Sequence, residues 1–166
     1  MGHRAFGPCD FEGNFDVDLY EKTILKLFGG FEFLTSEGRS IAPKSAKSRT
    51  LLALLATSQS GSRGRLWLQK RLWPDSDAEK AAMSLRQALS EIRRALGAHR
   101  ELLWADRRYV GLDLDRIGLV AQGPGEVFLE DVGGFAAKGL CGWLEEMRQD
   151  AVTCDADTPV LTAKVG

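Results

Sequence analysis

The chain is predicted to be α+β, with a small N-terminal β-sheet, three helices and a C-terminal β-hairpin, and three observations carry this. Over residues 78–96, Leu85, Leu89, Ile92 and Leu96 recur at intervals of four, three and four, which is one apolar face of a helix. After it, residues 102–105 and 109–112 flank Asp106, Arg107 and Arg108 as two short strands around a turn. Before it, residues 24–34 are apolar and β-favouring, interrupted at Gly29 and Gly30. A sheet, three helices and then a hairpin is the order of a winged helix-turn-helix.

Residues 1–21 are polar, acidic and without periodicity, the composition of a mobile arm. Residues 24–34 should form a hairpin or small sheet, with Ser36, Glu37 and Gly38 turning the chain into residues 39–42. Pro43 closes that unit. A helix should begin near residues 44–47, because Leu51, Leu52, Leu54 and Leu55 crowd into a run too apolar to face water, making it the central core element. Residues 58–64 read as a Ser/Gly linker and residues 65–73 as a short second helix. Pro74 and Asp75 stop that helix, and Ser76 or Asp77 caps the long one, which Gly97 ends. The expected winged-helix domain covers residues 22–116, with a helical extension and tail over 117–166.

Charge is segregated along the chain. Residues 39–116 carry 16 Lys+Arg against 8 Asp+Glu, whereas residues 1–38 carry 3 against 7 and residues 117–166 carry 3 against 8. The overall net charge of −1 therefore hides a basic middle between acidic ends. A local positive field is what a polyanion partner requires, since binding then releases condensed counterions.

Other function classes are disfavoured. No run approaches the roughly 18 to 20 apolar residues that span a bilayer, and the start lacks a signal-peptide core, so no membrane association and a cytoplasmic location are expected. Cys9, Cys141 and Cys154 are scattered, which suggests free thiols rather than a disulfide framework or a zinc site. His3 and His99 neighbour no cysteine or carboxylate at ligand spacing. The Gly29/Gly30, Gly123/Gly125 and Gly133/Gly134 pairs match neither a phosphate loop nor a dinucleotide fingerprint. Neither an enzyme nor a cofactor is expected. Trp67, Trp73, Trp104 and Trp143 do not alternate with basic residues along one strand, so core roles are expected for them rather than stacking on single-stranded nucleic acid.

The wording of the chain sharpens the fold. Residues 25–32 (LKLFGGFE), 47–55 (KSRTLLALL), 72–75 (LWPD) and 84–97 (SLRQALSEIRRALG) together resemble the DNA-binding half of the Streptomyces antibiotic regulatory protein family of transcriptional activators, over about residues 24–116. The resemblance implies an OmpR-like winged helix in a bacterial activator that binds direct repeats with protomers side by side and touches RNA polymerase; a homodimer or tandem protomers on DNA would follow. In that family an all-helical activation domain comes next. Residues 128–132 and 142–148 look like its beginning, but residues 117–166 are too few for several repeats of about 34 residues, leaving a stand-alone reader or a truncated one. The Trp143 helix would then have an apolar side that either packs on the winged helix, the favoured outcome, or forms a contact surface.

On this reading the 78–96 helix enters the major groove of duplex DNA, with Gln87 and Arg94 reaching adenine and guanine edges. Lys80, Ser84, Arg86 and Ser90 share base and phosphate contacts, while Lys44, Lys47 and Arg49 approach the backbone. Arg107 and Arg108 at the wing tip reach the adjacent minor groove. Arg93 lies nearer the apolar stripe and is assigned to salt bridging or polymerase contact. The competing class is a winged-helix protein-interaction module without DNA binding, against which the basic excess between Arg39 and Arg116 argues.

Overall fold

The computed structural model describes residues 22–120, 125–130 and 141–153. The expected arm over 1–21 and the tail after 153 lie outside them, as do His3, Cys9, Cys154, Gly123, Gly133 and Gly134.

Strand β1 (Thr23–Lys26) alternates inward and outward residues, with Leu25 wholly buried, and pairs antiparallel with β2 (Glu32–Leu34) so that Leu25 faces Phe33. The turn anticipated at residues 36–38 is present: the Gly38 N–H donates to the Thr35 carbonyl at 2.9 Å, and Ser40 bridges back to Leu34. Helix α1 (Ala46–Ala56) follows, with Leu51, Leu52, Leu54 and Leu55 all buried, because neighbouring elements cover it on several sides.

The expected linker over 58–64 contains a strand instead. Strand β3 (Ser62–Gly64) pairs antiparallel with β5 (Tyr109–Leu112), which also pairs with β4 (Leu103–Ala105), giving a three-stranded sheet ordered β3-β5-β4. Gly61 makes the approach possible. Its φ is +68°, and a Cβ there would lie 2.8 Å from the Leu112 carbonyl oxygen and 2.9 Å from Leu114 Cγ, so only glycine fits without movement. Such a strand has no hydrophobic alternation to reveal it, and its small polar residues read as a loop.

Helix α2 (Arg65–Leu72) leads to α3 (Ala78–Leu96), whose bounds coincide with the expected ones. Asp77 is the cap, its carboxylate accepting from the Lys80 N–H at 2.8 Å. Gly97 ends the helix at φ +55° and opens a 3-10 turn over Gly97–Leu102.

The core runs across the boundary expected after residue 116. Strand β6 (Ile117–Leu119) joins β1 in parallel, making the N-terminal sheet β2-β1-β6. Farther on, Phe128 bridges to Phe28, the Gly29 N–H donates to the Val127 carbonyl at 2.8 Å and the Leu129 N–H to the Leu27 carbonyl at 2.8 Å. Phe128 is wholly buried, its ring edge-on to Phe28 at 5.4 Å and to Trp143 at 5.6 Å. Trp143 belongs to α4 (Cys141–Thr153), which buries Leu144 and half-buries Trp143 and Met147 against the same core. Arg148 fastens the helix, donating from Nε to the Phe128 carbonyl at 3.1 Å and from Nη2 to the Leu129 carbonyl at 3.2 Å. The Trp143 side thus packs on the domain.

Candidate nucleic-acid interface

Helix α3 presents two chemically distinct faces. Ala81, Leu85, Ala88, Leu89, Ile92 and Leu96 are buried, which at about 100° per residue turns Lys80, Met83, Gln87, Ser90 and Arg94 outward. Lys80, Arg86, Gln87, Ser90 and Arg94 are all exposed, and Ser84 is half-buried at the edge. Lys80 Nζ lies 3.3 Å from the Asp77 carboxylate, but both groups are exposed, so this pair holds the lysine only weakly.

The cations before and within α1 are less open than the chain suggests. Lys44 is exposed, whereas Lys47 sits over the Trp73 ring at 5.2 Å and the Arg49 Nε donates to the Pro43 carbonyl at 2.8 Å. The N-terminus of α1 is itself occupied. Ser45 makes no side-chain cap bond and the first turn holds no acidic residue; instead Glu91 of α3 reaches across, accepting from the Ser45 N–H at 2.9 Å and from the Ser48 hydroxyl at 2.8 Å. Glu91 thus does from another helix what a glutamate in the first turn does in a capping box, and it pins α1 to α3 beside Ser84 and Gln87. The expected result for Glu91→Ala is a loss of about 1–2 kcal/mol in denaturant unfolding, the scale of a lost helix cap; no change would mean that the bonds to Ser45 and Ser48 contribute nothing.

The β4–β5 hairpin is braced at its turn. The Asp106 carboxylate accepts from the Arg108 and Tyr109 N–H groups, each at 2.7 Å, and these bonds hold its carboxyl below the usual carboxylate range. Arg65, the first residue of α2, donates its backbone N–H to the Arg108 carbonyl at 2.8 Å and its Nε to the Asp106 carbonyl at 2.6 Å. Arg107 and Arg108 remain exposed at the tip of this tied turn.

Trp104 departs from the expected core role, whereas Trp67 packs half-buried against the core as expected. Trp104 is 42% exposed and lies across Gly111, where a Cβ would run into its indole. Trp67 is half-buried with two guanidinium groups over its ring, Arg63 at 4.7 Å and Arg71 at 5.1 Å. The grouping of Arg63, Trp67 and Arg71 spans a strand and a helix, so alternation along one strand could not reveal it; a four-residue spacing on either side of Trp67 is the signal that could have.

Among the described residues no three His, Cys, Asp or Glu side chains group as metal ligands, and no helix is long and apolar enough to cross a membrane. With this geometry in place, the chain can be compared with known proteins. Its fold is similar to that of EmbR. The Mycobacterium tuberculosis EmbR structure, in complex with a low-affinity phosphopeptide, superposes with a TM-score of 0.59 at 16% identity, over 81% of this chain and 44% of EmbR. The chain thus spans less than half the length of that protein. No protein-family model and no curated protein matches it. The likeness supports a mixed α/β fold of this kind, which among the described residues comprises four α-helices and small sheets.

Proposed function

We propose that the chain is an OmpR-like winged-helix regulator of transcription that binds duplex DNA sequence-specifically, and that it is a binding protein rather than an enzyme. The observation that carries this is the outer face of α3, with Arg86, Gln87, Ser90 and Arg94 exposed opposite its buried stripe, in a domain whose β4–β5 hairpin presents Arg107 and Arg108. The α3 helix reads base edges in the major groove, Gln87 and Arg94 having the donor and acceptor sets for bidentate pairs with adenine and guanine. Lys80, Ser84, Arg86 and Ser90 share base and phosphate contacts. Lys44 is the open backbone-binding cation ahead of α1; Lys47 and Arg49, held by Trp73 and Pro43, act mainly by setting its position. The hairpin serves as the wing.

The resemblance to the Streptomyces antibiotic regulatory proteins supports an activating role in a bacterial cytoplasm, side-by-side protomers on direct repeats and contact with RNA polymerase. A gel shift with random-sequence duplex across a salt series tests the DNA reading. Retarded duplex at low salt, with affinity falling steeply as salt rises, is expected; no shift at any salt would favour a protein-interaction module.

Arg107→Ala with Arg108→Ala separates wing from helix. The pair should weaken binding on many sequences and make the salt dependence shallower while base preference persists, because minor-groove and phosphate contacts release counterions but carry little sequence information. A changed base preference with an unchanged salt slope would reverse the two roles.

A further inference from the structure

We infer that Met83 is a specificity-determining residue of the α3 face, its thioether side chain packing against the 5-methyl group of a thymine in the major groove. The inference rests on the DNA-binding reading above and adds to it a base that hydrogen bonds alone would not select. Met83 is 53% exposed, whereas Leu85, Leu89, Ile92 and Leu96 of the same helix are buried. Single exposed apolar residues are common on protein surfaces, and exposure by itself says nothing about a ligand. Position is what distinguishes Met83. It lies one turn after Lys80 and one turn before Gln87, within the outward row that continues through Ser90 and Arg94. It is the apolar member of that row, and the other exposed large hydrophobics among the described residues, such as Leu66 and Trp104, lie off α3.

A helix face that brings Gln87 to a base edge also takes its neighbour Met83 out of water, and Met83 belongs to the N-terminal half of α3, the part of a reading helix that meets the bases. A thioether donates no hydrogen bond and accepts only weakly. Set against the amino group of cytosine or adenine, or against O6 and N7 of guanine, it would strip water from those groups and give nothing back. Thymine is the base that offers an apolar group in the major groove. Met83 therefore selects by attraction and by rejection at once, gaining buried apolar surface at thymine and leaving polar edges unpaired elsewhere. An unbranched side chain with three rotatable bonds can settle on the methyl group without a demanding groove geometry. Four helical residues rise about 6 Å and stacked bases about 3.4 Å each, so for a helix lying along the groove the thymine falls within about two base pairs of the adenine assigned to Gln87.

The experiment starts from a duplex that the parent protein enriches from a random pool. Each thymine of its motif is replaced in turn by deoxyuridine, which removes the 5-methyl group and nothing else. Anisotropy titrations compare the parent, Met83→Ala and Met83→Leu, each checked by thermal melting, which should stay unchanged because the side chain is exposed. For the parent, one replacement, within about two base pairs of an adenine, should weaken binding about fourfold, the scale of one buried methyl group. For Met83→Ala the same replacement should be almost neutral, while Met83→Leu, still apolar, should keep most of the parent's sensitivity. Should Met83→Ala fail to fold, Met83→Gln, polar and of similar length, replaces it with the same readout. If the parent feels no replacement, or Met83→Ala feels the same one as strongly, the methyl contact is overturned and the enriched motif leaves the DNA reading intact. Equal weakening of Met83→Ala on the enriched and on random duplex, without coupling to any methyl group, overturns it in favour of packing on the sugar-phosphate backbone. A motif without thymine overturns it outright. A parent that enriches no motif removes the contact and the sequence-specific reading together.

Discussion

Phe128→Ala is expected to lower stability by about 3–5 kcal/mol, the cost of truncating a large aromatic side chain in a packed core. Phe128 is wholly buried between Phe28 of the N-terminal sheet region and Trp143 of α4, and its carbonyl accepts from Arg148. The loss should therefore appear in one unfolding transition that includes the N-terminal sheet, followed by far-ultraviolet circular dichroism in denaturant. A change below about 1 kcal/mol would mean that residues 128–129 and α4 are an appendage rather than part of the core.

Arg86→Ala with Arg94→Ala is expected to reduce duplex affinity more than tenfold and leave melting almost unchanged. Both side chains are exposed and off the buried stripe of α3, so their removal opens no cavity. A good base contact is worth about 1–3 kcal/mol, and two losses together exceed the roughly 1.4 kcal/mol that equals a factor of ten. Anisotropy on a selected duplex measures the first quantity and calorimetry the second. Lost affinity accompanied by lost melting would trace the effect to unfolding instead.

How far the chain could be read depended on the range of the interactions involved. Helix α3 was legible to its ends because a nineteen-residue stripe, a capping aspartate and a terminating glycine all agree locally. The β4–β5 hairpin was legible for the same reason, its turn being encoded by Asp106 and two following residues. Strand β3 was hidden because Ser62, Arg63 and Gly64 owe their extended form to pairing with β5, more than forty residues away. Strand β6 was hidden likewise, since its parallel pairing with β1 joins residues 23 and 117. The candidate site divides in the same way: the outward residues of α3 follow from periodicity, whereas the Glu91 clasp on Ser45 and Ser48 arises only where two helices meet. The arginine pair over Trp67 arises only where β3 meets α2. The partner itself is suggested by the basic middle of the chain and by its resemblance to a family of activators, since the fold similarity to EmbR speaks to architecture alone.

Selection of bound duplexes from a random pool, run side by side on the parent and on Arg86→Ala/Arg94→Ala, tests the central claim most directly. The account predicts that the parent enriches a defined motif containing the adenine and guanine positions read by Gln87 and Arg94, and that the variant loses enrichment at the guanine while retaining weak, salt-sensitive retention of DNA. A parent that enriches nothing, or a folded variant that enriches the same motif as strongly, would contradict it.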